Sequence, residues 1–122
     1  MMPADDRFFS FSYIPHRDHE EFLFAQREQR KLMLSFFSKG GRDHELRLCA
    51  PIAFEPLRRS RDQSFRYHFF DFTGEPNPHP MALSPDQIFR MKATSDHFNP
   101  MQFARYYPDR AETAPDEFDP RH

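Results

Sequence analysis

Short apolar runs separated by polar turns occupy most of the chain and predict mainly β structure. Within residues 44–52, apolar and polar side chains alternate, so Leu46 and Leu48 are predicted to face the core while Glu45 and Arg47 face the other side. The segments that predict strands are 31–38, 44–52, 64–72, 81–83 and 88–95.

One segment before these strands predicts a helix. Asp18 is a candidate N-cap, and Glu20 and Glu21 follow in the first turn, where acidic side chains suit the helix dipole. Apolar residues recur at helical spacing through residues 19–30, which end in basic side chains.

Strands at such close spacing, without long helices between them, indicate an antiparallel sheet. Residues 84–87 predict a single helical turn, since Ser84 can cap it and Pro85 suits its first position. We therefore predict a helix followed by a five-stranded SH3-like or Sm-like small barrel, whose closure would remove exposed strand edges. The predicted core is Leu32, Leu34, Phe36, Leu46, Leu48, Phe65, Tyr67, Phe69, Ile88 and Met91.

The pattern divides the chain into three parts. Residues 1–17 predict an aromatic N-terminal arm, residues 18–100 the helix and barrel, and residues 101–122 a short helix or extended segment with a flexible acidic tail. Aromatic residues outside the barrel either cover it or form an interface; they are Phe8, Phe9, Phe11, Phe103, Tyr106 and Tyr107.

Composition narrows the class of protein. The 122 residues carry a net charge of −2, which excludes a globally basic nucleic-acid binder. Cys49 is the only cysteine, which fits a reducing cytoplasm, and its apolar neighbours predict a buried thiol. No apolar run has the roughly 20 residues of a membrane span. We expect a cytoplasmic protein without a membrane partner or a cofactor.

Charge is distributed unevenly along the chain. Residues 58–66 carry four arginines against one aspartate, whereas the C-terminal tail is acidic. Such asymmetry favours a partner surface, although a solvated loop is the simpler explanation. Arginine holds phosphate in a bidentate fork, so we predict an anion-binding surface with a ring from Tyr67 or Phe70 beside it. Its candidate residues are Arg58, Arg59, Arg61, Arg66, Tyr67 and Lys92.

A stripe of strand cations extends this idea, since Arg47, Arg66, His68, Arg90 and Lys92 are assigned to the face opposite the apolar one. Cations interleaved with rings on a small barrel suit a nucleotide or single-stranded nucleic acid. A solvated outer face is the alternative.

Residues 22–100 resemble the WYL domain, a small Sm-like barrel common in bacterial regulators. The resemblance rests on the basic end of the helix and on the segments "LMLSF", "ELRLCAPIAF", "FRYHFFDF", "LSPDQIFRMKAT" and "DHFNP". It implies a regulatory, ligand-sensing module linked to transcriptional regulation.

Two departures from the family concern its ligand chemistry. The Trp-Tyr-Leu triplet that gives the family its name is replaced here by Arg66, Tyr67 and His68, so only the tyrosine is kept. Ser84 and Gln87 occupy the places of two arginines that the resemblance implies for the ligand-contacting surface, although Asp86 and Ile88 match.

Histidines offer a weaker alternative, a metal- or His-dependent enzyme. His16 and His19 have a spacing that metal sites use, and His44, His68 and His79 could join a carboxylate in acid–base chemistry. No phosphate loop or nucleophile motif accompanies them. The sequence therefore favours a non-enzymatic regulatory module that binds an anionic ligand, a nucleotide or single-stranded nucleic acid. The main alternative is a structural or self-associating protein-interaction barrel.

Overall fold

The computed structural model describes residues 15–38, 43–57, 61, 63–74 and 77–107. Their elements are α1 (His19–Glu28), β1 (Arg30–Phe37), β2 (His44–Pro56), β3 (Phe65–Asp71), β4 (His79–Leu83) and β5 (Ile88–His97). Two 3₁₀ helices, Pro85–Gln87 and Pro100–Tyr106, precede and follow β5. The predicted mainly-β class with an N-terminal helix is confirmed.

The five strands form one antiparallel sheet in the order β4-β3-β2-β1-β5. A flat sheet of five strands would separate its edges by about 19 Å, because neighbouring strands lie about 4.8 Å apart. The connection from Leu83 to Ile88 spans only about 15 Å, since part of it is a 3₁₀ turn. The sheet must therefore curve. It stays open among the described strands, because β4 and β5 are its edges and do not pair.

The main core lies between α1 and the concave face of the sheet. Phe22 and Ala25 of the helix are fully buried, and the Phe22 ring contacts Tyr67 and Phe69 edge-on at 4.9 and 5.7 Å between centroids. Rings packed in this way add to the stabilisation that their buried area provides. The cluster comprises Phe22, Ala25, Leu32, Leu34, Phe36, Cys49, Tyr67, Phe69, Leu83, Ile88 and Met91.

The predicted face of β2 is wrong. Leu34 pairs with Arg47 and Ser35 pairs with Leu46, so Arg47 lies on the core side of the sheet and Leu46 on the outer side. The Leu46 side chain is 64% exposed. The period-2 alternation was correct, but its two faces were assigned the wrong way round at this end of the strand.

A register shift in β5 explains the burial of Ile88 and Met91, which strict alternation places on opposite faces. Met91 pairs with Leu34 and Ile88 pairs with Phe36, because the β1–β5 ladder shifts by one residue between Ser35 and Phe36. Both side chains therefore face the main core. The same shift leaves Phe89 as the extra residue of the bulge.

A second cluster covers the outer face of β2 and β3. Phe98 and Phe103 pack there against Phe70, whose ring stacks on Phe103 at 5.2 Å, and Ala50 and Ile52 belong to the same cluster. Tyr107 joins it and donates its hydroxyl to the Phe69 carbonyl at 3.0 Å. The aromatic residues after β5 thus cover the sheet, whereas Phe8, Phe9 and Phe11 lie outside the described residues.

Side chains at the start of α1 seal the outer edge of β5. Asp18 occupies the predicted N-cap position, but its carboxylate makes no cap hydrogen bond and instead accepts from the Met91 amide at 2.9 Å. Glu21 accepts from the Ala93 amide at 2.8 Å, and Arg17 donates to the Phe89 carbonyl at 3.0 Å. These groups satisfy an edge that would otherwise invite another strand.

Candidate functional site

Three rings meet on the outer face where β1, β2 and β5 come together. His44 stacks on Phe37 at 5.3 Å between centroids, and Phe89 contacts both, at 6.3 Å from Phe37 and 5.4 Å from His44. Phe37 and His44 are register partners of β1 and β2, while Phe89 reaches them from the bulge in β5. We call these three residues the aromatic platform.

A buried hydroxyl orients the exposed histidine of the aromatic platform. The Oγ atom of Ser35 lies 2.5 Å from Nε2 of His44, and Ser35 is 8% exposed. This hydrogen bond fixes the imidazole plane and favours its stacking on Phe37. The position of the His44 ring in the platform therefore depends on Ser35.

Cations surround the aromatic platform. The Arg17 guanidinium lies 5.7 Å from the centroid of the Phe89 ring, within cation–π range. Arg90 pairs with Ser35 and Lys92 pairs with Met33, and both cations are exposed. Partners across an antiparallel ladder lie on the same face, and residues two apart on a strand share a face. Arg90 and Lys92 therefore share the outer face with the platform.

The two halves of the outer face differ in their cover. Over β2 and β3 it is covered by the segment after β5, as described above. Over β5, β1 and the start of β2 it is open among the described residues: Leu46 is 64% exposed and Phe89 is 46% exposed. On the described surface, the aromatic platform and Leu46 form an exposed apolar group next to cations. Exposed apolar groups of this kind are typical of interaction sites.

Two of the residues predicted to bind an anion, Arg66 and Lys92, are separated in the structure. Arg58 and Arg59 lie outside the described residues, and Arg61 is exposed. Arg66 pairs with Glu55 near the end of β2, whereas Lys92 is aligned through Met33 with Leu48 near its beginning. Arg66 and Lys92 therefore lie far apart on the sheet.

The predicted rings also fall elsewhere. Tyr67 is 0% exposed and Phe70 is 4% exposed, one in each core cluster, so neither presents a ring to solvent. Of the predicted stripe, Arg47 faces the core side, and Nε2 of His68 donates to the Glu55 carbonyl at 2.9 Å. Arg90 and Lys92 are the members that the structure brings together with exposed rings.

The candidate metal ligands His16 and His19 instead organise Tyr67. The His16 amide donates to the Tyr67 hydroxyl at 2.9 Å, and Nδ1 of His19 lies 2.7 Å from the same oxygen. Nε2 of His16 hydrogen-bonds to the Ile88 carbonyl at 2.9 Å. Within the described part of the chain, no group of three potential metal ligands is found. Burial raises the pKa of Tyr67 to about 12.

Replacing Tyr67 with phenylalanine should lower the free energy of unfolding at pH 7 by about 1–3 kcal/mol, because the partly buried His16 amide loses its acceptor. A separate contribution comes from burial, which raises the pKa of Tyr67 and favours the neutral hydroxyl in the folded protein. This contribution is complete below about pH 10, the ordinary tyrosine pKa, and is lost as the pH rises through about 12. Urea unfolding from pH 7 to 12 measures both effects.

The control for this prediction is Tyr106→Phe, since Tyr106 is 37% exposed. It should leave the alkaline loss of stability unchanged, whereas Tyr67→Phe should reduce it. Equal pH profiles for the two variants would contradict the assignment.

Comparison with protein-family models, with curated proteins and with solved structures gave no match for this chain. Among the described helices, none has the length and apolar character needed to cross a membrane.

Sequence reasoning missed Arg17, Phe37, His44 and Phe89 as site residues. The signal for Phe89 was weak, because strict alternation placed it opposite Arg90 and only the bulge brings both to one surface. The sequence indicates His44 only as a candidate for acid–base chemistry, because its ring contacts depend on the pairing of β1 with β2.

Proposed function

We propose that this protein is a non-enzymatic small β-domain that binds single-stranded nucleic acid on the aromatic platform and its surrounding cations. The observation that carries the proposal is the contact of three rings on a sheet face where His44 and Phe89 are exposed, with Arg17, Arg90 and Lys92 beside them. Unpaired bases stack on such rings, and cations on the same face contact the phosphates.

Single-stranded nucleic acid suits this surface better than a lone nucleotide does. The platform lies on an open, exposed sheet face, and its cations extend along β5 from Arg90 to Lys92. A nucleotide contacts one ring and places its phosphates at one point, whereas a single strand of nucleic acid contacts a row of cations beside a stacking surface. The net charge of −2 describes the whole chain and does not oppose this, since Arg17, Arg90 and Lys92 lie on the side of the platform formed by β5.

The strand order supports a finer proposal about the fold. We propose that the curved sheet is an open form of the SH3-like or Sm-like small barrel, with a WYL-like regulatory role. The leading helix, five antiparallel strands and the 3₁₀ turn between β4 and β5 all fit that prediction. Bacterial origin, cytoplasmic location and the role of Arg58, Arg59, Arg61 and Arg66 as a second anion-binding surface stay predictions.

The test is a titration of a labelled single-stranded oligonucleotide at two salt concentrations. Phe89→Ala should weaken binding by about 5- to 150-fold, because one stacked base contributes about 1–3 kcal/mol. Arg90→Ala should reduce the slope of log K against log salt by about 0.7, the value for one lost phosphate contact on a single strand.

Arg105→Ala is the matched control, since Arg105 is also exposed but belongs to the segment after β5. It should leave affinity nearly unchanged. An Arg58/Arg59/Arg61→Ala variant separates the second predicted surface from the aromatic platform. No binding by the wild type at low salt, or equal losses in Phe89→Ala and Arg105→Ala, would overturn the proposal.

A protein-interaction role is the second candidate, favoured by the exposure of Leu46 and Phe89 on the same face of the sheet. Self-association through this face brings Arg90 and Lys92 against their own copies, which electrostatic repulsion opposes. Sedimentation of the wild type and of Leu46→Ser over a range of concentrations separates the two roles. A dimer that Leu46→Ser dissociates would support self-association instead.

A further inference from the structure

The covered half of the outer face leads directly to the open half along β2. Ala50 belongs to the second cluster, and Leu48 and Leu46 follow at alternate positions on the same side of the strand. This row ends beside His44 of the aromatic platform. The segment after β5 already packs at the Ala50 end, where Tyr107 is held by its bond to the Phe69 carbonyl.

The chain that follows Tyr107 has the composition that complements the aromatic platform. Residues 108–122 carry five acidic residues against two arginines, and Phe118 lies between carboxylates in the sequence "DEFD". Carboxylates suit Arg17, Arg90 and Lys92, and a phenylalanine suits the exposed Phe89 ring. The row of leucines and rings adjoins the covered half, and its Leu46 is 64% exposed.

The length of this segment is sufficient. From Ala50 to His44 the row extends about 20 Å at 3.3 Å per residue. Phe118 follows Tyr107 by 11 residues, which extend to about 36 Å. The acidic residues around Phe118 can therefore reach the platform of the same chain without strain.

We propose that residues 116–119 bind the aromatic platform of their own chain and compete there with the anionic ligand. This inference rests on the proposed function, because it names the regulation of the same site. A tethered competitor has an effective concentration on the order of 1 mM. If the segment binds with a Kd on the order of 0.1 mM, it weakens ligand binding by about tenfold.

The first test neutralises the segment in the full chain. Asp116→Asn, Glu117→Gln and Asp119→Asn together should tighten oligonucleotide binding by about tenfold at low salt. A variant with Glu20→Gln, Glu28→Gln and Asp96→Asn changes net charge equally at exposed positions. It should give a much smaller change. Equal gains in the two variants would reduce the effect to net charge and overturn the inference.

A second measurement detects the contact without any nucleic acid. Cys49 is buried and its pKa is raised by burial, so a spin label attached to Ala114→Cys marks the segment alone. It should broaden the amide resonances of Leu46 and Phe89 and spare those of β4, and the neutralised segment should abolish the effect.

The two outcomes separate the inference from the proposed function. Broadening at Leu46 and Phe89 without any oligonucleotide binding would leave the segment docked and overturn the nucleic-acid proposal. Oligonucleotide binding that the neutralised segment does not change, with no broadening, would overturn the docking and keep the proposed function.

Discussion

Replacing Leu34 with alanine should lower the free energy of unfolding by about 2–5 kcal/mol, whereas Leu46→Ala should change it by less than about 0.5 kcal/mol. Leu34 is 0% exposed in the main core, and Leu46, almost directly opposite on β2, is 64% exposed on the outer face. The cost of the first change combines lost burial with the cavity that it leaves. Denaturant unfolding of both variants measures the difference.

This pair of variants tests the register of β1 against β2 directly. Both remove the same atoms from neighbouring strands, so differences in side-chain chemistry cancel. A shift of one residue in this register would move the side chains of one strand to the opposite face of the sheet. Equal losses for the two variants, or a larger loss for Leu46→Ala, would show that the register is wrong.

Replacing Arg47 with methionine should lower the free energy of unfolding by about 3 kcal/mol, because it leaves a buried carboxylate without its cation. Asp71 is 1% exposed, and Nη1 of Arg47 lies 3.5 Å from its Oδ2 atom. Arg47 also donates to the Thr73 carbonyl at 3.1 Å and to Glu45. The hydrogen bond to Glu45 raises the pKa of Arg47, so the guanidinium stays charged.

Adding Asp71→Asn to this variant should recover a large part of the loss. Asparagine removes the buried charge but keeps an oxygen for the two hydrogen bonds that Thr73 donates to Oδ1, at 2.9 Å from its amide and 3.0 Å from its hydroxyl. A double-mutant cycle from urea unfolding measures the coupling between the two side chains. Additive losses would contradict a paired, buried charge at this position.

The exposed-cation interpretation of Arg47 shows where a local pattern stops being informative. In residues 44–49, Leu46 and Leu48 lie on one side of the predicted strand, and Arg47 and Cys49 lie on the other. Apolar content alone favours burial of the side with the two leucines. The buried Asp71 decides otherwise, because Asp71 pairs with Cys49 on the core side and Arg47 lies on that side too. A partner 24 positions away in the sequence sets the face of the strand.

The sequence by itself determined the order of elements, since each depends on local chemistry. The helix after Asp18, the apolar β1, the alternating β3 and the turn that begins at Pro85 were all predicted from neighbouring residues. Close spacing of the strands also predicted their antiparallel pairing, because short connections join strands that run in opposite directions.

Only the tertiary structure decided which face is buried and which residues form the candidate site. Tyr67 lies in the core because α1 packs over it, and Phe89 reaches Phe37 because β5 bulges. The curvature of the sheet follows from one short connection between its two edges. The buried face of a strand, its bulges and the curvature of the sheet depend on contacts between residues that are distant in the sequence. The hydrophobic period of a segment depends only on its own residues and does not specify those contacts.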